Sequence, residues 1–460
     1  MGLATDTSEF EATFSGRLVR PADGDYHELR SLFNGMIDRK PALIARCESP
    51  ADVAAAIAYA REAGLPIAVH GGGHGVTGHA MCDDGVCIDM RPMGSVEVDA
   101  EARTARVGGG ANWGAVDAAT QEHGLAVTGG RVPTTGVAGL ALGSGSGWIE
   151  RKCGLTCDNL ISCEVVLADG SIVTASEDEN ADLFWGLRGG GGNFGVVTSF
   201  EFSLQPVGPI LYGGMLMHPA ERGPELLRFY RDFMADAPDE IGGAVAFISA
   251  PPEDFVPEPV RGQPVVGVIV CYVGDPAEGE EALRPLVEFG PPALAMVQPM
   301  PYVAVQRLIE PGNPHGLQNY WKADFVDLPD EAIEVFARFG NSRPSPFSQA
   351  IVIPGGGAVS RVPDDAMAFG QRDAPFNVHL LSLWMDPADA DANIAWAREF
   401  SDAMKPYARG GVYLNFIGDE GSGRVREAFG DKFPRLQELK ARYDPENLFR
   451  LNQNIAPASA

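Results

Sequence analysis

Residues 69–79 read VHGGGHGVTGH, placing three histidines and five glycines in eleven positions. So bare a backbone can turn sharply or approach a ligand closely, and imidazole offers a nucleophile, a proton acceptor or a metal ligand. The preceding residues 66–70 have the texture of a strand, and Gly73, Gly75 and Gly78 then satisfy G-x-G-x-x-G. That spacing marks a dinucleotide-binding turn only if it opens a helix. Instead the chain continues as HAMCDDGVCIDM (79–90), with the turn signal Asp83-Asp84-Gly85 and then a second β-rich run, so the Rossmann reading is rejected. Three readings stay open: a metal site using His70, His74 and His79 beside Cys82 and Cys87, a structural turn, or a nest of glycine amides that holds a phosphate. The metal reading is weak in chemistry, because H-x3-H and H-x4-H lie on a loop and no H-E-x-x-H occurs.

The rest of the chain narrows the class. Its 460 residues predict two or three domains, and 45% hydrophobic with 21% charged residues is the composition of a globular core. A formal charge of −27 argues against nucleic acid or an anionic membrane as partner. The first residues, MGLATDTSEFEATFSG, lack a basic region followed by an apolar core, and no apolar run has the length of a membrane span, so a cytoplasmic location is expected. Seven cysteines without a C-x-x-C pair indicate neither a disulfide framework nor a zinc ribbon.

Working outward from the loop, Ser49 caps a predicted helix in which Val53, Ala56, Ile57 and Ala60 recur at helical spacing, and Gly64 ends it. Strands are predicted at VCIDM, SVEVDA, TARVGG and SCEVVLADGSIVTA, the last turning at Asp169-Gly170, with a helix at 113–123 between them. After Pro206 glycine clusters thin out. Strand-like runs (AVAFIS, VVGVIVCYV, QAIVIP, VHLLSLW) then alternate with helical runs at 219–236 and 329–339, as in a second α+β domain. The polar, aromatic end of the chain is expected to return to the first domain. GGVYLNFIGDEG within it alternates as a strand that puts Tyr413 and Asn415 on one face.

Five blocks in order carry a resemblance: PIAVHGGGH with GVCIDMRPM, TTGVAGLALGSGSGWIERKCGLTCDNL, DLFWGLRGGGGNFGVVTSFEF, and the terminal YDPENLFRLNQNI. Together they resemble the FAD-linked oxidases of the vanillyl-alcohol-oxidase fold, in the berberine-bridge-enzyme-like branch. The resemblance implies an α+β flavoprotein with a two-part FAD-binding domain, residues 1–206 and 406–460, around an inserted α+β substrate domain, 207–405. It implies covalent FAD through His74. The family's second link, a cysteine, falls at Val132, so a single link is expected. The glycines Gly71, Gly72, Gly73, Gly75 and Gly78 with His70 and His79 would surround the cofactor. Gly130, Val132, Thr135, Gly136, Gly139 and Gly143 would approach its ring and pyrophosphate. Asn159, Asn193, Gly195, Val197, Asn452 and Asn454 would complete the contacts.

The implied activity is transfer of hydride from a C–H beside OH or N to flavin, with O2 reduced to hydrogen peroxide. Thr135 would leave room for O2 beside the flavin. Tyr413 is the candidate base, with Asn415 beside it and Gln349 as a further catalytic candidate. A lowered tyrosine pKa would need a cation, for which Lys322 is the candidate. The substrate would be a small alcohol, sugar, amine or polyketide, whose lining draws on Tyr320, Trp321, Lys322, Gln349 and His379. A monomer or homodimer is expected, without metal, nucleic acid or membrane. The alternatives are a flavin dehydrogenase with another acceptor, a non-catalytic flavoprotein that sequesters a drug, and a metal-dependent hydrolase.

Overall fold

Ser49 is extended, and its hydroxyl accepts from the backbone N–H of Asp52 at 3.2 Å, so the helix Pro50–Glu62 begins where its first amides find an acceptor. Gly64, at φ +63°, lets the chain leave that helix. In the computed structural model, which describes residues 8–418 and 420–458, this helix buries Val53, Ala56, Ile57 and Ala60 against a four-stranded sheet. In that sheet Leu43–Arg46, Val86–Asp89 and Ile67–His70 run parallel, and Arg17–Val19 adds an antiparallel edge. The glycine-histidine loop therefore leaves the end of a parallel strand and leads to another strand, not to a helix.

A five-stranded antiparallel sheet comes next, in the order Val96–Asp99, Thr104–Gly108, Val196–Ser203, Leu160–Val166, Ile172–Ser176. Its last two strands turn through Gly170, at φ +86°. From Ile210 the chain builds a seven-stranded antiparallel sheet in the order Leu294–Pro301, Ile210–Pro219, Pro264–Tyr272, Ile241–Ser249, Gln349–Pro354, Phe376–Trp384, Gln318–Val326. Side chains alternate across this sheet. Ala350, Val352, Val378 and Leu380 join the core formed with the helices Gly223–Ala235, Asp330–Asn341 and Ala390–Met404, while Gln349, Ile351, Ile353, His379 and Leu381 face the other way, into a cavity.

The end of the chain packs back on the five-stranded sheet. Val425, Phe429, Phe433, Leu436 and Ile455 share one buried cluster with Val107, Val165, Phe200 and Phe202. Lys440 is fully buried inside this return. Its ammonium donates to the carbonyls of Asn193 and Phe449 and pairs with the fully buried Asp444 at 2.5 Å. One local expectation is corrected: Leu414–Phe416 is a 3-10 turn, closed by Phe416 N–H donating to the Tyr413 carbonyl at 3.0 Å, and not a strand. Alternation in the sequence had a second explanation, a tight turn that buries Tyr413 and Leu414 and leaves Asn415 reaching back to the Leu140 carbonyl. Among the described residues no helix is long and apolar enough to cross a membrane.

Candidate active site

Two glycine loops cross backbone to backbone at the centre of the molecule. A Cβ on Gly72 would lie 2.1 Å from the amide nitrogen of Gly136, and one on Gly136 would lie 2.4 Å from that of Gly72. Only hydrogen fits at either position. Beneath the first loop, His70 is 2% exposed and its Nε2 would come within 2.7 Å of a Cβ on Gly73, which also holds φ +69°. His70 thus packs as a buttress under the turn, behind the cavity lining. Burial, with Arg91 adding to it, pushes its pKa down to about 4.

These loops form one wall of a cavity of about 930 Å³, near the top of the ~300–1,000 Å³ range of small-molecule sites. Gly71, Gly72, Gly73, Gly75 and His79 line it from the first loop, as do Gly130, Val132, Thr135, Gly136, Gly139 and Gly143 from the second. Gly195, Val197 and Asn452 close the far end, Asn415 reaches over Gly143 from the returning chain, and Gln349 lies on the side of the seven-stranded sheet. Six expected residues stand behind the lining. His70 and Gly78 shape the first loop, a Cβ on Gly78 meeting Ile37 at 2.7 Å. Asn159 ties the carbonyls of Cys153 and Leu155 together, and Asn193 ties Gly190, Gln453 and Ile455. Asn454 is half-buried, with its Oδ1 buried and without a partner. Tyr413, 1% exposed, accepts hydrogen bonds from Ser146 N–H at 2.7 Å and Asn415 Nδ2 at 3.2 Å.

His74 stands over the cavity. Its ring stacks on Phe33 with centroids 4.4 Å apart, meets His315 edge-on at 5.2 Å, and shares a hydrogen bond between Nε2 and the Thr134 hydroxyl at 2.9 Å. Burial, with His315 adding to it, pushes its pKa down to about 3, so the imidazole is neutral and a nitrogen lone pair is free to act as nucleophile. Sequence reasoning did not single out Phe33, Thr134 or His315. Thr134 immediately precedes Thr135 in the TTGVAG run, but the other two are distant in sequence and carry no local signal.

Two stretches of the chain match family descriptions: residues 41–176 an FAD binding domain, and 412–456 a berberine and berberine-like segment. An FAD-linked oxidoreductase of Dictyostelium discoideum is 30% identical over 99% of this chain and 98% of its own. The chain belongs to the FAD-linked oxidoreductases of the berberine-bridge-enzyme-like family. The (R)-6-hydroxynicotine oxidase of Paenarthrobacter nicotinovorans is 31% identical over 97% of both chains. A crystal structure of 6-hydroxy-D-nicotine oxidase from Arthrobacter nicotinovorans superposes with a TM-score of 0.88 at 29% identity, covering 99% of this chain and all of that one.

The residues present fit FAD. A Cβ at Gly75, Gly139 or Gly192 would meet nothing within 4 Å, so these cavity-lining positions face open space that a bound group can occupy. Asn452, anchored through Nδ2 to the carbonyls of Gly192 and Phe449, keeps a buried Oδ1 without a protein partner at the same end. Such an atom calls for a donor from a ligand or water.

The expectations for the substrate side divide by strand geometry. On Gln318–Val326, Trp321 lines the cavity, while its neighbours Tyr320 and Lys322 point away: Tyr320 accepts from Arg398 and Lys322 pairs with Glu420. Lys322 therefore does not serve Tyr413, whose pKa burial, reinforced by the Glu150 carboxyl, pushes up to about 12. Gln349 lines the cavity and donates to the Gly312 carbonyl at 3.1 Å. Sequence reasoning missed Arg131 beside Val132. This buried cation lies over Trp148, hydrogen-bonds Ser146 and lines the cavity.

Proposed function

We propose that this oxidoreductase is a cytoplasmic oxidase of a small organic substrate, carrying FAD covalently through His74 alone. Bound there, FAD would supply the acceptor for a hydride from a substrate C–H beside OH or N, and O2 would be the oxidant that restores it, with hydrogen peroxide as product. The observation that carries the reading is a single cavity joining a glycine cradle under a neutral histidine to a ligand-sized space against the seven-stranded sheet. With Nε2 of His74 engaged by Thr134, Nδ1 is the nitrogen left to attach the cofactor. Val132 lines the cavity at the second attachment position and has no thiol to offer. Its seven free cysteines are in keeping with a cytoplasmic enzyme.

Thr135 lines the cavity next to Gly130, and its small side chain is proposed to leave the space through which O2 arrives. In this reading Tyr413 holds the returning chain against the Ser144–Gly147 turn and positions Asn415 through its hydroxyl, while burial favours its neutral form. The test is acid denaturation and proteolysis of the purified protein. A yellow peptide containing His74 is expected, and flavin released to the supernatant would overturn the covalent link. With a substrate in hand, anaerobic mixing should bleach the flavin, and readmitted O2 should restore it with stoichiometric peroxide. Slower reoxidation of Thr135→Leu, with unchanged bleaching, is the expected sign of the O2 route.

A further inference from the structure

The sheet wall of the cavity is built from Met215, Met217, Ile269, Met296, Ile351 and Ile353, with Met215 directly opposite Met296 on the neighbouring strand. Thioether and branched aliphatic side chains offer no hydrogen bonds to speak of, and methionine adapts well to the faces and edges of rings. Of the charged side chains that also border the cavity, Arg307 is exposed and paired with Glu310, Glu253 sits on the proline-rich segment 251–257, and Arg131 is held over Trp148 with its guanidinium on the Ser146 hydroxyl and the Gly147 carbonyl and beside Glu150. A molecule with many hydroxyls would leave most of them unpaired against such a wall.

One imidazole interrupts it. His379 lies opposite Ile351 in the sheet, is 1% exposed and borders the cavity. Its ring stacks on Phe416 at 3.9 Å between centroids, with Tyr413 nearly parallel at 5.9 Å. Its Nε2 is buried and has no protein hydrogen-bond partner. Burial, with Arg131 adding to it, holds the ring neutral, so one nitrogen is an acceptor. The position of His379 is as telling as its chemistry. Phe416 follows Asn415, whose side chain fills the space above Gly143 of the cradle, so His379 stands at the seam between the two walls.

We propose that the substrate is a largely apolar ring compound bearing a single hydroxyl or amine, and that His379 accepts the hydrogen bond from that group and so sets which carbon faces the flavin. The proposal rests on the oxidase reading for its chemistry, but its binding consequences can be measured without turnover. The apolar body lies along the methionine and isoleucine wall, and the polar group is drawn to the seam because His379 offers a buried acceptor there.

The test uses the oxidised, flavin-loaded protein and three probes that report binding by calorimetry: 2-naphthol, 2-fluoronaphthalene and cellobiose. The naphthalenes differ in one hydrogen-bond donor and neither carries a C–H fit for hydride loss. Wild type should bind 2-naphthol at least about tenfold more tightly than 2-fluoronaphthalene, with cellobiose weaker than either. His379→Phe keeps a ring against Phe416 and should bring the two naphthalenes within about twofold of each other, leaving 2-fluoronaphthalene unchanged. Should that variant not fold, His379→Leu removes the acceptor altogether and should lose the same discrimination. Tighter binding of cellobiose than of 2-naphthol would overturn the apolar class. A preference for 2-naphthol that survives substitution would overturn the role of His379. A protein without flavin, or one whose reduced form makes no peroxide, would instead defeat the oxidase reading and leave the binding contrast standing.

Discussion

Along one wall of the cavity the chain presents backbone, and along the other it presents side chains. The glycine wall is built from loops that touch at main-chain distances, so most changes there are forbidden by geometry. The sheet wall is built from methionine and isoleucine on a regular antiparallel frame, where side chains can be exchanged without moving the strands. The glycine wall, proposed above to hold the cofactor, is therefore rigidly specified, while the sheet wall, proposed to face the substrate, can be altered on the same frame.

The sharpest way to break this contrast is a pair of substitutions, one per wall. Gly72→Val places its Cβ 2.1 Å from the Gly136 nitrogen, a clash with backbone that no rotamer relieves. Folded, yellow protein should fall to background in soluble yield and visible absorbance. Met215→Leu conserves volume on the opposite wall and should cost less than about 1.5 kcal/mol while keeping full flavin content. Equal tolerance at the two positions would refute the distinction.

Next in size is the buried pair that ties the returning chain to the glycine wall. In Lys440→Met the Asp444 carboxylate keeps its hydrogen bonds from Leu448 N–H and Phe449 N–H but loses its cation, and the Asn193 and Phe449 carbonyls lose a donor. Breaking a buried pair from one side costs about 3–5 kcal/mol. Urea unfolding should show that loss. If the flavin loosens in parallel, the return is part of the cradle and not merely its cover.

How much of this was legible in the sequence obeys the same division. The glycine blocks and the rejection of a Rossmann turn could be read from contiguous residues, because each local requirement leaves a local signature, whereas the role of His74 was implied only by the resemblance. The strands Ile210–Pro219 and Leu294–Pro301 went unread, since the first carries Gly213-Gly214 and the second ends in Pro299 and Pro301, residues that ordinarily argue against a strand. They are neighbours in the sheet, and their facing residues Met215 and Met296 become part of the site only through that register. Whether Trp321 or Lys322 faces the cavity depends on where a strand starts, and a shift of one residue reverses the answer. Phe33 and His315 meet His74 from remote segments, which no single stretch announces.

Asp117 offers a pH-dependent test of the boundary between the walls. It is buried on the helix Trp113–Gln121 and accepts from Gln306 at 3.1 Å, while Gln306 also reaches the Gly130 carbonyl. Burial pushes its pKa up to about 7. Because the folded pKa lies above the unfolded one, the stability linked to its neutral form is complete below the unfolded value of ~3.9 and is lost as pH rises through about 7. Asp117→Asn removes the charge at every pH. Relative to the parent it should gain stability between pH 4 and 8, by no more than about 4 kcal/mol at the upper end, and nothing below pH 4. Melting curves across that range would show a constant difference if Asp117 did not titrate in the fold.

The smallest expected effect separates cradle from scaffold most cleanly, because its two parts have opposite signs. Gly139 lies within the helix Val137–Leu142, lines the cavity, and would place a Cβ in open space with no atom within 4 Å. In a helix interior alanine is favoured over glycine by about 0.5–1 kcal/mol, and nothing in the protein opposes the added methyl. Cofactor-free Gly139→Ala should therefore be more stable than its parent, seen as a higher urea midpoint at unchanged slope. We expect the same methyl to take up space that bound FAD would fill, so cofactor binding should weaken. Both effects are best measured in a His74→Ala background, where the flavin is expected to exchange freely. If stability rises while FAD affinity falls, the open space beside Gly139 belongs to the cofactor and the glycine is retained for binding. If both rise, the cofactor passes elsewhere along the wall, and the stretch from Gly130 to Gly143 supports the loop crossing at Gly72 without touching the flavin.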